Sequence, residues 1–248
     1  MKTTIAALAA AATVTCLAAS PPAEPPEANP LFIYATYYQC NTGTMYKSED
    51  EVVKLYKKVL DGMIARNTLT SWGWLVRNTG GEWTRAEYFS GPSVAAVVGA
   101  STTMQPPIDH PPPKNAFDEA CGSGEDYIWH MLAGNDGRTH RGAAAFSIYY
   151  VCDQSREKQA DALVKRAFAP MYDKLVADGK LTSWGWAEHI VGGKYRRLAT
   201  LTAPTVDALI AAREGIVAAT EHDPLNDAFI AICGSHQDYI WDVREQGP

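Results

Sequence analysis

A chain of 248 residues with 46% hydrophobic content can bury a real core, and length alone allows one or two domains. The net charge of −6 offers no basic footprint for nucleic acid and no attraction to an anionic membrane surface. No apolar stretch is long enough to span a bilayer as a helix.

The N-terminus reads as a targeting segment. Met1-Lys2 supplies a positive charge, Ile5 to Val14 is an alanine-rich apolar run, and small residues follow at Ala18, Ala19 and Ser20. This predicts a secretory signal over 1–19, then a Pro/Glu/Ala-rich extended linker over 20–30. Cys16 resembles the lipidated cysteine of bacterial lipoproteins, which implies a signal ending before it. Thr13-Val14-Thr15 departs from the small Gly or Ala usual just before that cysteine, so plain cleavage near Ala18 or Ala19 is the alternative. The expected location is the periplasm, the outer membrane through a lipid anchor, or the exterior. Membrane contact is expected only through such an anchor.

The rest of the chain says one thing twice. Leu69-Thr70-Ser71-Trp72-Gly73-Trp74 recurs as Leu181-Thr182-Ser183-Trp184-Gly185-Trp186. Tyr37-Tyr38-x-Cys40 recurs as Tyr149-Tyr150-x-Cys152, and Cys121-Gly122-Ser123 with Asp126-Tyr127-Ile128-Trp129 recurs as Cys233-Gly234-Ser235 with Asp238-Tyr239-Ile240-Trp241. The offset is 112 throughout (181 − 69, 149 − 37, 233 − 121). Two tandem repeats, 31–132 and 142–248, follow.

In the first repeat Gly80-Gly81 marks a hairpin, and a second helix begins after Pro92, capped by Ser93. Gly134 to Gly137 is a polar connector. The second repeat is the cleaner copy. Ala145 to Asp153 predicts a strand, and Gln159 to Asp178 predicts a helix kinked at Pro170, or broken just before it, and stopped by Gly179. Leu181 to Val191 and Lys194 to Ala203 predict strands joined by Gly192-Gly193. Thr205 caps a helix through Leu209, Ile210 and Ile216, and Asp238 to about Val243 is the last strand. The order β-α-β-β-α-β is the ferredoxin-like split unit.

Four cysteines remain besides Cys16, and they allow three connectivities. The duplication favours Cys40–Cys121 and Cys152–Cys233. In a ferredoxin-like sheet the end of the first strand lies beside the start of the fourth, which brings these pairs within bridging distance.

The tandem pattern resembles the dimeric α/β-barrel group, in which two ferredoxin-like units pack sheet to sheet. Its members include antibiotic-biosynthesis-type monooxygenases, haem-degrading enzymes and small lactone isomerases. The Tyr-Tyr-x-Cys, Ser-Trp-Gly-Trp and Asp-Tyr-Ile-Trp signatures look like those of secreted bacterial proteins with no activity attached to them. The resemblance implies an α+β chain packed as an internal pseudo-dimer, monomeric in solution. It implies no resident cofactor, and its haem-degrading members keep haem open.

Several residues are candidates for chemistry. Trp72, Trp74, Trp184 and Trp186 alternate with glycines and could form an aromatic wall for a flat ligand, or pack as core beneath helices. Tyr38 and Tyr150 lie on the first strand of each repeat, beside Arg85 and Arg197 on the third. An interior Tyr–Arg pair could hold a carboxylate, and the bland alternative is a surface arginine paired with an acid. His189 and His236 have no histidine counterparts, since Arg77 and Gly124 stand there. If they converged with Asp238, an acid–base site in the second repeat would follow. His110 and His222 are equivalent and more suited to loop hydrogen bonds. No spacing suited to a metal site, no G-x-S-x-G elbow and no phosphate-binding loop is present. The leading expectation is binding of a small, partly aromatic molecule between the two sheets. An enzyme using His189 or His236 as base, and a ligand-free envelope protein, are the alternatives.

Overall fold

The computed structural model describes residues 29–45, 49–105, 116–121, 123–136 and 140–247. The signal, Cys16, nearly all of the linker and His110 lie outside the described residues. In chain order the elements are β1 (Phe32–Gln39), α1 (Thr42–Met45), α2 (Glu49–Ala65), β2 (Ser71–Gly80), β3 (Arg85–Gly91), α3 (Val94–Met104), α4 (Ala116–Ala120) and β4 (Ser123–Gly134). The second repeat supplies β5 (Ala144–Val151), α5 (Glu157–Leu163), α6 (Ala169–Ala177), β6 (Ser183–Val191), β7 (Arg197–Ala203), α7 (Val206–Thr220), α8 (Pro224–Cys233) and β8 (Ser235–Gly247).

The strands close into one antiparallel barrel in the order β1-β3-β2-β8-β5-β7-β6-β4. Each repeat contributes a sheet with its fourth strand beside its first, as the split unit requires. The outer strands then pair across repeats, β2 with β8 and β4 with β6. That pairing leaves no open edge, so the duplication solves the edge-strand problem within one chain. The bridges Cys40–Cys121 and Cys152–Cys233 tie the end of each first strand to the start of each fourth.

Local signals explain most elements. Ser93 and Thr205 cap α3 and α7, accepting from Ala96 N and Ala208 N. Val53, Leu60 and Met63 are buried along one stripe of α2. The helix expected over 159–178 is interrupted by a π-helical stretch, Val164–Phe168, just before Pro170. Proline has no N–H for the turn below, and a wide turn accommodates the missing bond. The third strand starts at Arg197 rather than Lys194, because the turn opened by Gly192 (φ +140°) continues through 196. The helices α4 and α8 were not expected. α4 ends just before Cys121 and α8 ends on Cys233, and Asp223 caps α8.

Candidate functional site

Side chains alternate across every strand, so the sheet has two chemically distinct faces. The inner face is closed by aromatic rings. The Asp-Tyr-Ile-Trp signatures place Tyr127, Trp129, Tyr239 and Trp241 inside, stacked pairwise at 5.0 and 4.9 Å. Tyr37, Tyr149 and Tyr195 join them, and Trp83 stacks on Tyr37 at 4.2 Å and on Tyr239 at 5.2 Å. An eight-stranded barrel is just wide enough for side chains to fill. The interior cavity measures about 30 Å³, room for roughly one water. The space between the two sheets, where the sequence suggested a ligand, is filled by these rings.

Gly73, between Trp72 and Trp74, faces this interior, and the Tyr88 ring occupies the space a Cβ would need. The gap that this glycine leaves is filled by a ring of the protein itself. His189 also faces inward, at the rim. Its ring meets those of Tyr127 and Trp129 edge-on, its Nδ1 lies 2.9 Å from Arg196, and its Nε2 is buried without a partner. Burial and then the Arg196 cation hold its pKa below the ordinary 6.5.

The four repeated tryptophans face outward, beneath the helices. Their indole N–H groups donate to helix carboxylates, Trp72 to Asp61, Trp74 to Glu49, Trp184 to Asp173 and Trp186 to Asp161, at 2.8–2.9 Å. Arg85 donates twice to Glu49 and Arg197 twice to Asp161. Tyr38 lies opposite Arg85 and Tyr150 opposite Arg197 in register, as the strand order implied. The guanidinium of Arg197 is nonetheless only 2% exposed and saturated by Asp161, Glu157 and a backbone carbonyl. Its fork is not free for a ligand carboxylate. This acid–Trp–Arg lock was legible as a repeat. The acid precedes the second tryptophan by 25 residues and the arginine follows it by 11 in both copies (74 − 49, 186 − 161; 85 − 74, 197 − 186).

A cavity of about 270 Å³ lies between the outer face of β5–β8 and the helices α7 and α8. Tyr150, Tyr172, Trp186, Phe168 and Phe229 form much of its wall, and Trp186 alone of the four tryptophans lines it. Val217 and Ile230 line it while remaining exposed, which makes an apolar mouth. The polar wall is Arg213, Asn226, Thr220, His236 and Asp238. His236 Nε2 stands 3.6 Å from Asp238 Oδ1, just beyond a hydrogen bond, and that oxygen is buried with no partner. Burial raises the Asp238 pKa, while His236 and Arg213 pull it back. The Tyr150 ring lies 5.5 Å from the His236 ring, and burial raises its hydroxyl pKa too. Thus His236 and Asp238 do come together, on the outer face, while His189 is on the other side of the sheet.

The matching face of the first repeat carries different chemistry. Glu87 stands where the second repeat has Ala199, and it is 3% exposed. Tyr38 donates to its Oε2 at 3.1 Å, and its Oε1 has no partner. Burial lifts the carboxyl pKa to about 8. Gly124 and Ser101 replace His236 and Arg213. Glu87 and Arg213 escaped the sequence reading, which compared the repeats for identity. Reading them for differences at equivalent positions marks both.

No protein-family model matches the sequence, and no curated protein sequence matches it. Solved structures do match in fold. A candidate monooxygenase of Lactobacillus acidophilus superposes with a TM-score of 0.56 at 9% identity, covering 88% of this chain and 96% of that one. An anthrone oxidase-like protein gives 0.54 at 13%, covering 89% and 94%. A haem-binding protein of Thermus thermophilus gives 0.53 at 8%, covering 88% and 92%. The chain thus has the dimeric α/β-barrel fold, with two tandem ferredoxin-like units forming a pseudo-dimer. At these identities the likeness concerns fold, and function must be argued from the site.

A haem does not fit the barrel interior. The barrel interior has room for about one water, and the Nε2 of His189 is closed in against Tyr127 and Trp129. Among the described residues no group of three His, Cys, Asp or Glu side chains could hold a metal ion.

Proposed function

We propose that this protein is an enzyme without a resident cofactor, acting on a small, largely apolar, ring-bearing molecule in the second repeat's outer cavity. The observation that carries the reading is the buried, unpartnered Asp238 oxygen facing His236 in a cavity with one aromatic wall. A buried polar atom without a partner costs about 1–3 kcal/mol, and a substrate hydroxyl or acidic C–H would supply what is missing. Desolvation makes Asp238 a stronger base than an exposed aspartate, and His236 is placed to share the proton it takes. The step is proton abstraction. The substrate's C–H or O–H bond breaks, its electron pair stays on the substrate as an enolate or phenolate, and the proton passes to the Asp238–His236 pair. The aromatic wall shields that anion from water. The two bridges support a working place outside the cytoplasm, where disulfides persist.

The test is hydrogen–deuterium exchange at the acidic C–H of 2-tetralone in D₂O, followed by NMR. The expected result is exchange above the buffer rate, reduced about a hundredfold or more in Asp238→Asn and unchanged in His189→Ala. Exchange at the buffer rate across a panel of bicyclic aromatic ketones would overturn the catalytic reading and leave a binding site.

A further inference from the structure

The cavity of the second repeat has one feature that proton transfer does not use. Arg213 lines it from α7, with its guanidinium 5.3 Å from the centre of the Phe146 ring. The arginines on the sheet's outer faces, Arg85, Arg197 and Arg244, all have carboxylate partners within 3.1 Å. Arg213 has no ion-pair partner among the described residues. A guanidinium resting on an aromatic face keeps its N–H edge free for a planar anion.

The repeats make this a local departure rather than a general trait. The chain is acidic overall, with a net charge of −6. On the outer face of the first repeat, the equivalent cluster holds Glu87 and Asp126, with Ser101 and Gly124 at the other two positions. The second repeat has Ala199, Asp238, Arg213 and His236 there. Three substitutions thus remove a carboxylate, open space and add two basic groups, all at one cavity. The cavity thus holds two basic side chains, Arg213 and His236, and one carboxylate, Asp238.

We propose that the cavity selects an aromatic anion, a one- or two-ring body bearing a carboxylate or phenolate, and that Arg213 is the specificity-determining residue. The inference rests on the outer cavity being the functional site. The ring body lies among Tyr150, Trp186 and Phe229, whose rings already meet at 5.3–5.8 Å, and the anionic group points to Arg213.

Isothermal titration calorimetry on the full chain compares 2-naphthoate with its neutral isostere 2-naphthamide. The expected result is one naphthoate per chain, bound at least tenfold more tightly than the amide. Arg213→Gln, an exposed helix position that glutamine suits, should bring the two affinities within about twofold of each other. Ala199→Glu should weaken both compounds. Equal affinities in the native chain, or a preference that survives Arg213→Gln, would overturn the ligand class while leaving the cavity as the site. Failure of both compounds to bind at millimolar concentration would overturn the class and the cavity reading together.

Discussion

The outer faces of the two repeats share a scaffold and differ in content. Both carry the acid–Trp–Arg lock, both carry a tyrosine opposite that arginine, and both are pinned by a bridge 81 residues apart in sequence. In the first, Glu87 takes the hydroxyl of Tyr38 and is closed in beneath the helices. In the second, the same position is Ala199 and a cavity of about 270 Å³ is present. The comparison separates what holds the fold from what sits in it. The lock is duplicated because each sheet must anchor its helix, while the positions around it were free to diverge.

The comparison breaks most severely at the lock. Asp161→Ala removes both Arg197–Asp161 hydrogen bonds, leaves that buried guanidinium with Glu157 as its carboxylate partner, and strips the Trp186 N–H of its acceptor, which should cost about 3 kcal/mol. Glu49→Ala should cost at least as much, because Glu49 also receives Arg244 from β8 and so joins the two repeats. Urea denaturation of both variants checks this, and a loss below about 1 kcal/mol would show the lock to be dispensable.

A loss of similar size is expected from pH, through Glu87 of the first repeat. Glu87 has a folded-state pKa near 8 against an ordinary 4.5. Its acid form is favoured in the fold, so the stability it contributes is complete below about pH 4.5. That stability is lost as pH rises through about 8, a change of order 4 kcal/mol. Glu87→Gln keeps a partner for Tyr38 and should flatten this dependence. Stability of the two proteins measured at pH 5 and pH 9 should converge at the acid end. Parallel curves would place an ionised Glu87 in the fold.

The bridges come next. Cys152→Ser with Cys233→Ser should destabilise by about 2–4 kcal/mol, and the same pair in the first repeat by a similar amount, since both close equal loops. Only the former should also weaken 2-naphthoate binding, because Cys233 lines the cavity. The smallest effect belongs to His189→Ala. It sits at the barrel rim away from the cavity, and its loss should change stability by no more than about 1 kcal/mol and leave binding untouched.

Much of this molecule was legible in the residues. The 112-residue offset, the alternation in the strands and the caps at Ser93 and Thr205 dictate two ferredoxin-like units, because hydrophobic period and backbone chemistry act locally. The cysteine pairing followed from the strand order. Facing was a different matter. Trp72 and Trp74 share one face of their strand in any fold, yet which face meets the helices depends on partners far away in sequence. The barrel decided it by pairing β2 with β8 and β4 with β6, which turned Tyr127 and Trp129 inward and Trp186 outward. The same closure filled the space expected between the sheets with rings. A single chain can count its aromatic residues, but whether they line a cavity or fill it depends on the radius of the barrel they close.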